Sequence, residues 1–249
     1  MTQASRAIDT TLKPKDRIIV ALDVADATAA RAIVSELGES VGAFKVGLQL
    51  FTAAGPEFVR ELVDSGAKIF LDLKFHDIPN TVAKAAVEAA RLGVWMFNVH
   101  ASGGSEMMLR TVAEVKEACE REGLEAPKII AVTVLTSSDG NALAETGIET
   151  PVGDQVVRLA KLAHRNGLDG VVASANEVAA IRSAISDSNF LIVTPGIRPI
   201  DATNDDQKRV MTFGRAIASG TDYAVIGRPI TQAADMRAAV AAIVAEAAN

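Results

Sequence analysis

The chain has a single cysteine, Cys119, which excludes an intrachain disulfide and any zinc centre built on several thiolates. That shortage suits a reducing cytoplasm, and Cys119 itself reads as a buried helix residue. Long apolar runs are missing too: no stretch approaches the roughly 18 residues that span a membrane. Residues 1 to 16 mix polar and charged groups and lack the apolar core of a signal peptide, so a cytoplasmic location is expected. Positive charge is also in short supply. A net charge of -6 and a pI near 5.2 argue against a nucleic-acid surface, although a few local cations suffice to hold a small anion. Finally, no linker, low-complexity tract or shift in composition marks a second domain, and 249 residues, 49% of them hydrophobic, suffice for one large core.

What is present is a regular alternation. Arg17 to Asp23 is an apolar run ended by a carboxylate, and Asp26 then caps an Ala-rich helix to about Leu37. Ala43 to Leu48 is a second strand with Lys45 in its middle, and Gly55-Pro56 opens the next helix. The pattern continues through strands at Lys68 to Phe75, Trp95 to His100, Lys128 to Thr136, Gly170 to Ser174, Phe190 to Thr194 and Tyr223 to Ile226. Helices follow near Pro79 to Arg91, Ser105 to Glu120, Gly153 to Arg165, Asn176 to Ile185, Phe213 to Ser219 and Thr231 to Ala247. Strands alternating with helices require a parallel sheet, and about eight units in this length fit a single (β/α)8 TIM barrel better than an open doubly wound sheet. The expected division is an N-terminal extension over residues 1 to 16 and a barrel over 17 to 249.

The stretch Leu71 to Thr81 concentrates the chemistry. On an extended chain Asp72 and Lys74 share one face while Leu71, Leu73 and Phe75 share the other. Unpaired charges on a buried strand cost several kcal/mol, so these two need partners, a ligand, or both. A salt bridge at the strand mouth would satisfy them. Asp77, arriving where Ile78-Pro79-Asn80-Thr81 starts a helix, adds a second carboxylate and favours a site. Barrel enzymes carry function at the C-terminal ends of their strands. There Asp23 closes strand one, Lys45 lies in strand two, Asp72 and Lys74 close strand three, and Thr136 closes strand five.

The connection after strand seven, Thr194-Pro195-Gly196-Ile197-Arg198-Pro199 and on to Thr212, is longer than ordinary barrel turns. It reads as a lid carrying Gln207, or else as a solvated insertion. Strand eight ends in Ile226-Gly227-Arg228-Pro229, where a glycine lets the backbone approach an anion and an arginine supplies a forked donor. Loops seven and eight often hold phosphate in such barrels, so a phosphorylated ligand is expected. His76 lies on the opposite parity from Lys74, which favours packing or a backbone contact over base catalysis, and the role of His100 stays open. Trp95 and Phe97 read as core, and Ser102-Gly103-Gly104 as a tight turn.

Together, Ala21-Leu22-Asp23, Phe44-Lys45-Val46-Gly47, Asp72 through Thr81, Val132 through Thr136, Pro195 through Arg198 and Val225 through Pro229 resemble the orotidine 5'-phosphate decarboxylase family over about 17 to 248. Phe213-Gly214, where a proline-bearing helix start is the family's pattern, departs from it without touching a proposed site residue. The resemblance implies conversion of orotidine 5'-monophosphate to UMP and carbon dioxide without metal or organic cofactor. It implies Lys74 as proton donor, Asp72 against the substrate carboxylate, and Lys45 and Asp77 completing an alternating charge network. Asp23 and Lys45 then correspond to ribose contacts, Thr136 to a pyrimidine contact, and Gln207, Gly227 and Arg228 to phosphate contacts with Arg198 at the loop base. It also implies a homodimer in which Asp77 and Thr81 reach the neighbouring site. A metal-dependent sugar-phosphate aldolase sharing Asp-x-Lys-x-x-Asp and a non-catalytic UMP-sensing barrel are the competing readings.

Overall fold

The computed structural model describes residues 12–198 and 211–247, and Gln207 with most of the expected lid lies outside them. Eight parallel strands close into a barrel in chain order: β1 (Ile18–Ala21), β2 (Ala43–Gly47), β3 (Ile69–Phe75), β4 (Met96–His100), β5 (Lys128–Val132), β6 (Gly170–Val172), β7 (Leu191–Pro195) and β8 (Tyr223–Ile226). The last strand returns to the first, with Ile18 opposite Ala224 and Val20 opposite Ile226. The expected barrel is therefore the observed one. No helix among the described residues is long and apolar enough to cross a membrane.

Two apolar populations hold it together. Residues pointing outward, such as Phe44, Val46, Leu71, Phe97 and Val99, pack against the helical ring. Residues pointing inward, Ile19, Ala21, Ala43, Phe70, Met96, Ile130, Val193 and Val225, fill the barrel. Along the inner column the chemistry changes with height: Ala43 is followed by Lys45, Phe70 by Asp72, and Met96 by Asn98, each two residues further along its strand. The lower barrel is oil, and its upper layer is charge and amide.

The helices are α1 (Ala27–Leu37), α2 (Leu48–Asp64), α3 (Pro79–Arg91), α4 (Gly104–Glu122), α5 (Gly140–Glu145), α6 (Val152–Arg165), α7 (Val178–Ala184), α8 (Phe213–Ala218), α9 (Arg228–Thr231) and α10 (Met236–Glu246). Asp26 caps α1 as expected, its Oδ1 accepting from Ala29 N at 2.9 Å. Cys119 is buried on α4. Several boundaries differ from the sequence reading. Helix α2 starts at Leu48, before Gly55-Pro56, because Gly55 takes φ 76 and lets one helical run kink into the next. Strand β5 stops at Val132, so Thr136 stands in the following loop, where Asp139 caps the short, unexpected α5. The final helix is broken: α9 ends at Thr231 and Asp235 caps α10.

Candidate active site

Four side chains from three strand ends meet at the C-terminal rim. Lys45 Nζ lies 3.0 Å from Asp23 Oδ1 and 3.4 Å from Asp72 Oδ2, and Lys74 Nζ lies 2.6 Å from Asp72 Oδ1. The row reads acid, base, acid, base. Its centre is the dry part: the Lys45 and Asp72 side chains are 10% and 12% exposed, Lys74 is 29% and Asp23 63%. Each buried charge touches an opposite one, which offsets a desolvation cost that neither would survive alone. Gly47 makes the approach possible, since a Cβ there would sit 3.0 Å from Lys45 Nζ.

The backbone that presents Lys74 is not a regular strand. Lys74 adopts φ 52, the one positive value at a non-glycine residue among those described. Pairing with β4 slips here: Leu71 faces Phe97, yet Phe75 faces Val99, so β3 spends two extra residues over this stretch. Asp72 and Lys74 do converge, but through a bulge rather than by simple alternation. A left-handed residue of this kind stores about 1–3 kcal/mol and persists only where its surroundings enforce it.

Asn98 is the side chain that sequence reasoning missed. Its Nδ2 donates to Asp72 Oδ1 at 2.7 Å, and its Oδ1 accepts from Lys74 N at 2.8 Å. The amide lies at an inward position of β4, between the apolar Phe97 and Val99, and is 1% exposed. That placement is itself a legible signal, because a buried amide needs partners.

The row forms one wall of a cavity of about 590 Å3. Asp23, Lys45, Asp72 and Lys74 line one side, and Thr136, Arg198, Gly227 and Arg228 line the rest, with Val132, Val134 and Val172 between them. All the sequence-nominated side chains within the described residues therefore share this space, except two. Asp77 is exposed and its Oδ1 accepts from Ile78 N at 2.6 Å, while Thr81 is exposed on the first turn of α3. Neither lines the cavity of its own chain.

The two histidines sit beside the row. The His76 and His100 rings are 5.3 Å apart and tilted by 33°. Burial, then the neighbouring His76 and the Lys74 ammonium, push the His100 imidazole below its ordinary value, with Asp72 opposing. These neighbours thus disfavour a further cation at His100.

Comparison with known proteins identifies the family. The model of the family described as "Orotidine 5'-phosphate decarboxylase / HUMPS family" matches residues 16–243. The orotidine 5'-phosphate decarboxylase of Moorella thermoacetica is 55% identical over 233 residues, covering 93% of this chain and 92% of that protein. That of Geotalea daltonii is 54% identical over 230 residues, covering 92% and 95%. Among solved structures, orotidine 5'-phosphate decarboxylase from Lactobacillus acidophilus superposes with a TM-score of 0.81 at 42% identity, covering 93% of this chain and 99% of that one. With the family model spanning nearly the whole barrel and relatives above half identity, the chain belongs to the orotidine 5'-phosphate decarboxylase / HUMPS family.

Proposed function

We propose that the protein decarboxylates orotidine 5'-monophosphate to UMP and carbon dioxide, the last step of de novo UMP synthesis, with no metal or organic cofactor. The observation that carries this reading is the Asp23–Lys45–Asp72–Lys74 row in the cavity wall. Breaking the bond between C6 and its carboxylate leaves the electron pair in an sp2 orbital that the pyrimidine ring delocalises poorly. A fixed ammonium beside C6 stabilises that pair as neutral carbon dioxide departs, and then gives C6 a proton. Lys74 has that role, and its own proton is restored from water after product leaves.

Asp72 orients Lys74 and faces the substrate carboxylate, adding a repulsion that disappears as carbon dioxide forms. Lys45 balances Asp72 from the other side and, with Asp23, meets the ribose. At about 4 Å and an effective dielectric near 20, each opposite pair contributes roughly 4 kcal/mol before desolvation, so alternation keeps the row tolerable. Thr136 contacts the pyrimidine, and Gly227, Arg228 and Gln207 hold the phosphate with Arg198 at the loop base. Binding energy gathered at the phosphate, far from the bond that breaks, can then drive closure and exclude water.

Two copies complete the site in this reading. Asp77 and Thr81 flank Ile78, an exposed apolar side chain, on one surface, and a second copy would bring them to its neighbour's cavity. Mixing inactive Lys74→Ala and Asp77→Ala proteins should then regenerate activity in about a quarter of the sites, since half the dimers are hybrids with one intact site each. Separate, unshared sites would give none.

The direct test is the loss of orotidine 5'-monophosphate absorbance on adding purified protein in excess chelator. Steady loss with release of carbon dioxide supports the reading. No change in absorbance overturns it.

A further inference from the structure

We infer that Asn98 is a positioning residue that holds the Lys74 ammonium in its reactive place by clamping the bulged backbone of β3 to the carboxylate of Asp72. The inference rests on the decarboxylase reading above for its consequence in turnover, and on the contacts around Lys74 for its geometry.

The bulge creates a specific need. Where β3 spends two extra residues against β4, the regular ladder is interrupted between Leu71 and Phe75, and the Lys74 N–H falls in the gap. The Asn98 side chain fills it, taking that N–H at 2.8 Å in place of a main-chain carbonyl. Its other end donates to Asp72 Oδ1 at 2.7 Å, the oxygen that also receives Lys74 Nζ at 2.6 Å. The orientation of the amide is forced: the backbone N–H can only donate and the carboxylate can only accept, so the oxygen faces Lys74 and the nitrogen faces Asp72. Asn98 thus ties the backbone N–H of Lys74 to the same carboxylate oxygen that receives the tip of that lysine.

Asn98 is also poorly placed for any other task. It is 1% exposed, does not line the cavity, and sits beneath the row. An apolar residue would serve an inward barrel position as well for packing, at lower desolvation cost. What an apolar residue cannot do is hold a non-glycine residue at φ 52, a conformation that needs its surroundings to enforce it.

Two variants test this. Asn98→Ala removes both contacts, and kcat should fall about 100-fold, the penalty of a misplaced reacting group, while KM and UMP affinity change little. Asn98→Asp keeps the shape and the acceptor for Lys74 N–H but sets a second carboxyl against Asp72. The charged groups facing it are Asp72 and Lys74, with Lys45 beyond Asp72 and the His100 ring nearby. Two carboxylates this close share a proton more readily as pH falls, and the protonated acid restores the missing donor. Relative to wild type, Asn98→Asp activity should therefore rise on acidification by up to about tenfold per pH unit, the slope of one titrating group. Asn98→Ala should show no such rise.

A crystal structure of Asn98→Ala supplies a readout independent of turnover, in which Lys74 should leave its left-handed conformation and lose the short contact to Asp72. Parallel losses of Tm, UMP affinity and kcat with no acid-side recovery in Asn98→Asp would reduce Asn98 to packing and overturn the inference. So would an unmoved Lys74 in that structure. Wild-type protein that fails to decarboxylate orotidine 5'-monophosphate would sink the proposed function instead, leaving the crystal structure to decide the role of Asn98.

Discussion

The barrel has two mouths, and the larger recess is not the one that holds the charge row. At the N-terminal ends of the strands a space of about 1070 Å3 opens between α1, α2 and the Trp95–Tyr223 edge contact, against about 590 Å3 at the C-terminal rim. Each mouth has an ion pair of the same length: Arg31 Nε to Glu61 Oε1 at 2.6 Å below, and Lys74 Nζ to Asp72 Oδ1 at 2.6 Å above. Distance does not separate them; surroundings do. Arg31 and Glu61 are both about half exposed and form a forked pair across two helices, with the Arg31 guanidinium over the Phe58 ring. Asp72 is buried, is shared between two lysines, and is braced by Asn98. A pair in water is screened and worth little, whereas a desolvated row is costly to assemble and strongly felt by anything bound beside it.

Four substitutions sharpen or break that contrast, beginning with the largest effect. Lys74→Ala should remove turnover by about 10,000-fold or more, the scale of a lost proton donor, while far-ultraviolet circular dichroism stays that of the folded barrel. Retained turnover would take Lys74 out of the chemistry. If Arg228 holds the phosphate as proposed, Arg228→Ala should lower kcat/KM by a factor equivalent to about 2–4 kcal/mol although it touches no reacting atom. An unchanged kcat/KM would count against the phosphate assignment. Asp72→Ala leaves two lysines facing each other in a dry layer, and denaturant unfolding should register a loss of about 3 kcal/mol.

Glu61→Gln should have the smallest effect, because its partner is exposed. The Arg31 hydrogen bond holds the Glu61 carboxyl below its ordinary 4.5. A carboxyl lowered on folding contributes stability above its unfolded value and loses it as pH falls through the folded one. Any Tm difference between Glu61→Gln and wild type should thus be small at neutral pH and shrink below about pH 4.5. A large neutral-pH difference would erase the distinction between the two mouths.

The barrel was legible because short apolar runs alternate with helical stretches along the whole chain, and several helices start at a cap or proline such as Asp26 or Pro79. Those are local signals, and they survive folding. The charge row was legible in part: Asp72 and Lys74 lie two apart, and Lys45 is the cation in a strand otherwise apolar. How they meet was not, because the alternation rule places side chains on an unbroken strand, and this one is bulged with Lys74 left-handed. Short elements escaped as well. Helix α5 has six residues, too few for periodicity to register, and the break between α9 and α10 is set by the Asp235 cap rather than by any proline or glycine. Asp77 and Thr81 show the remaining limit: both are exposed and neither lines the cavity of its own chain, and residue type and spacing alone do not tell toward which surface such a side chain turns.

The barrel is closed by its first and last strands, and the consequence reaches back to synthesis on the ribosome. Asp23 follows β1 and Gly227 follows β8, yet a Cβ on Gly227 would stand 4.0 Å from Asp23 Oδ2. Groups made at opposite ends of translation become neighbours only when the final strand docks beside Ile18. An emerging chain therefore has no assembled pocket, and one halted before Tyr223 would expose two raw sheet edges that invite aggregation. The cavity is walled on every side only once β8 has docked beside β1.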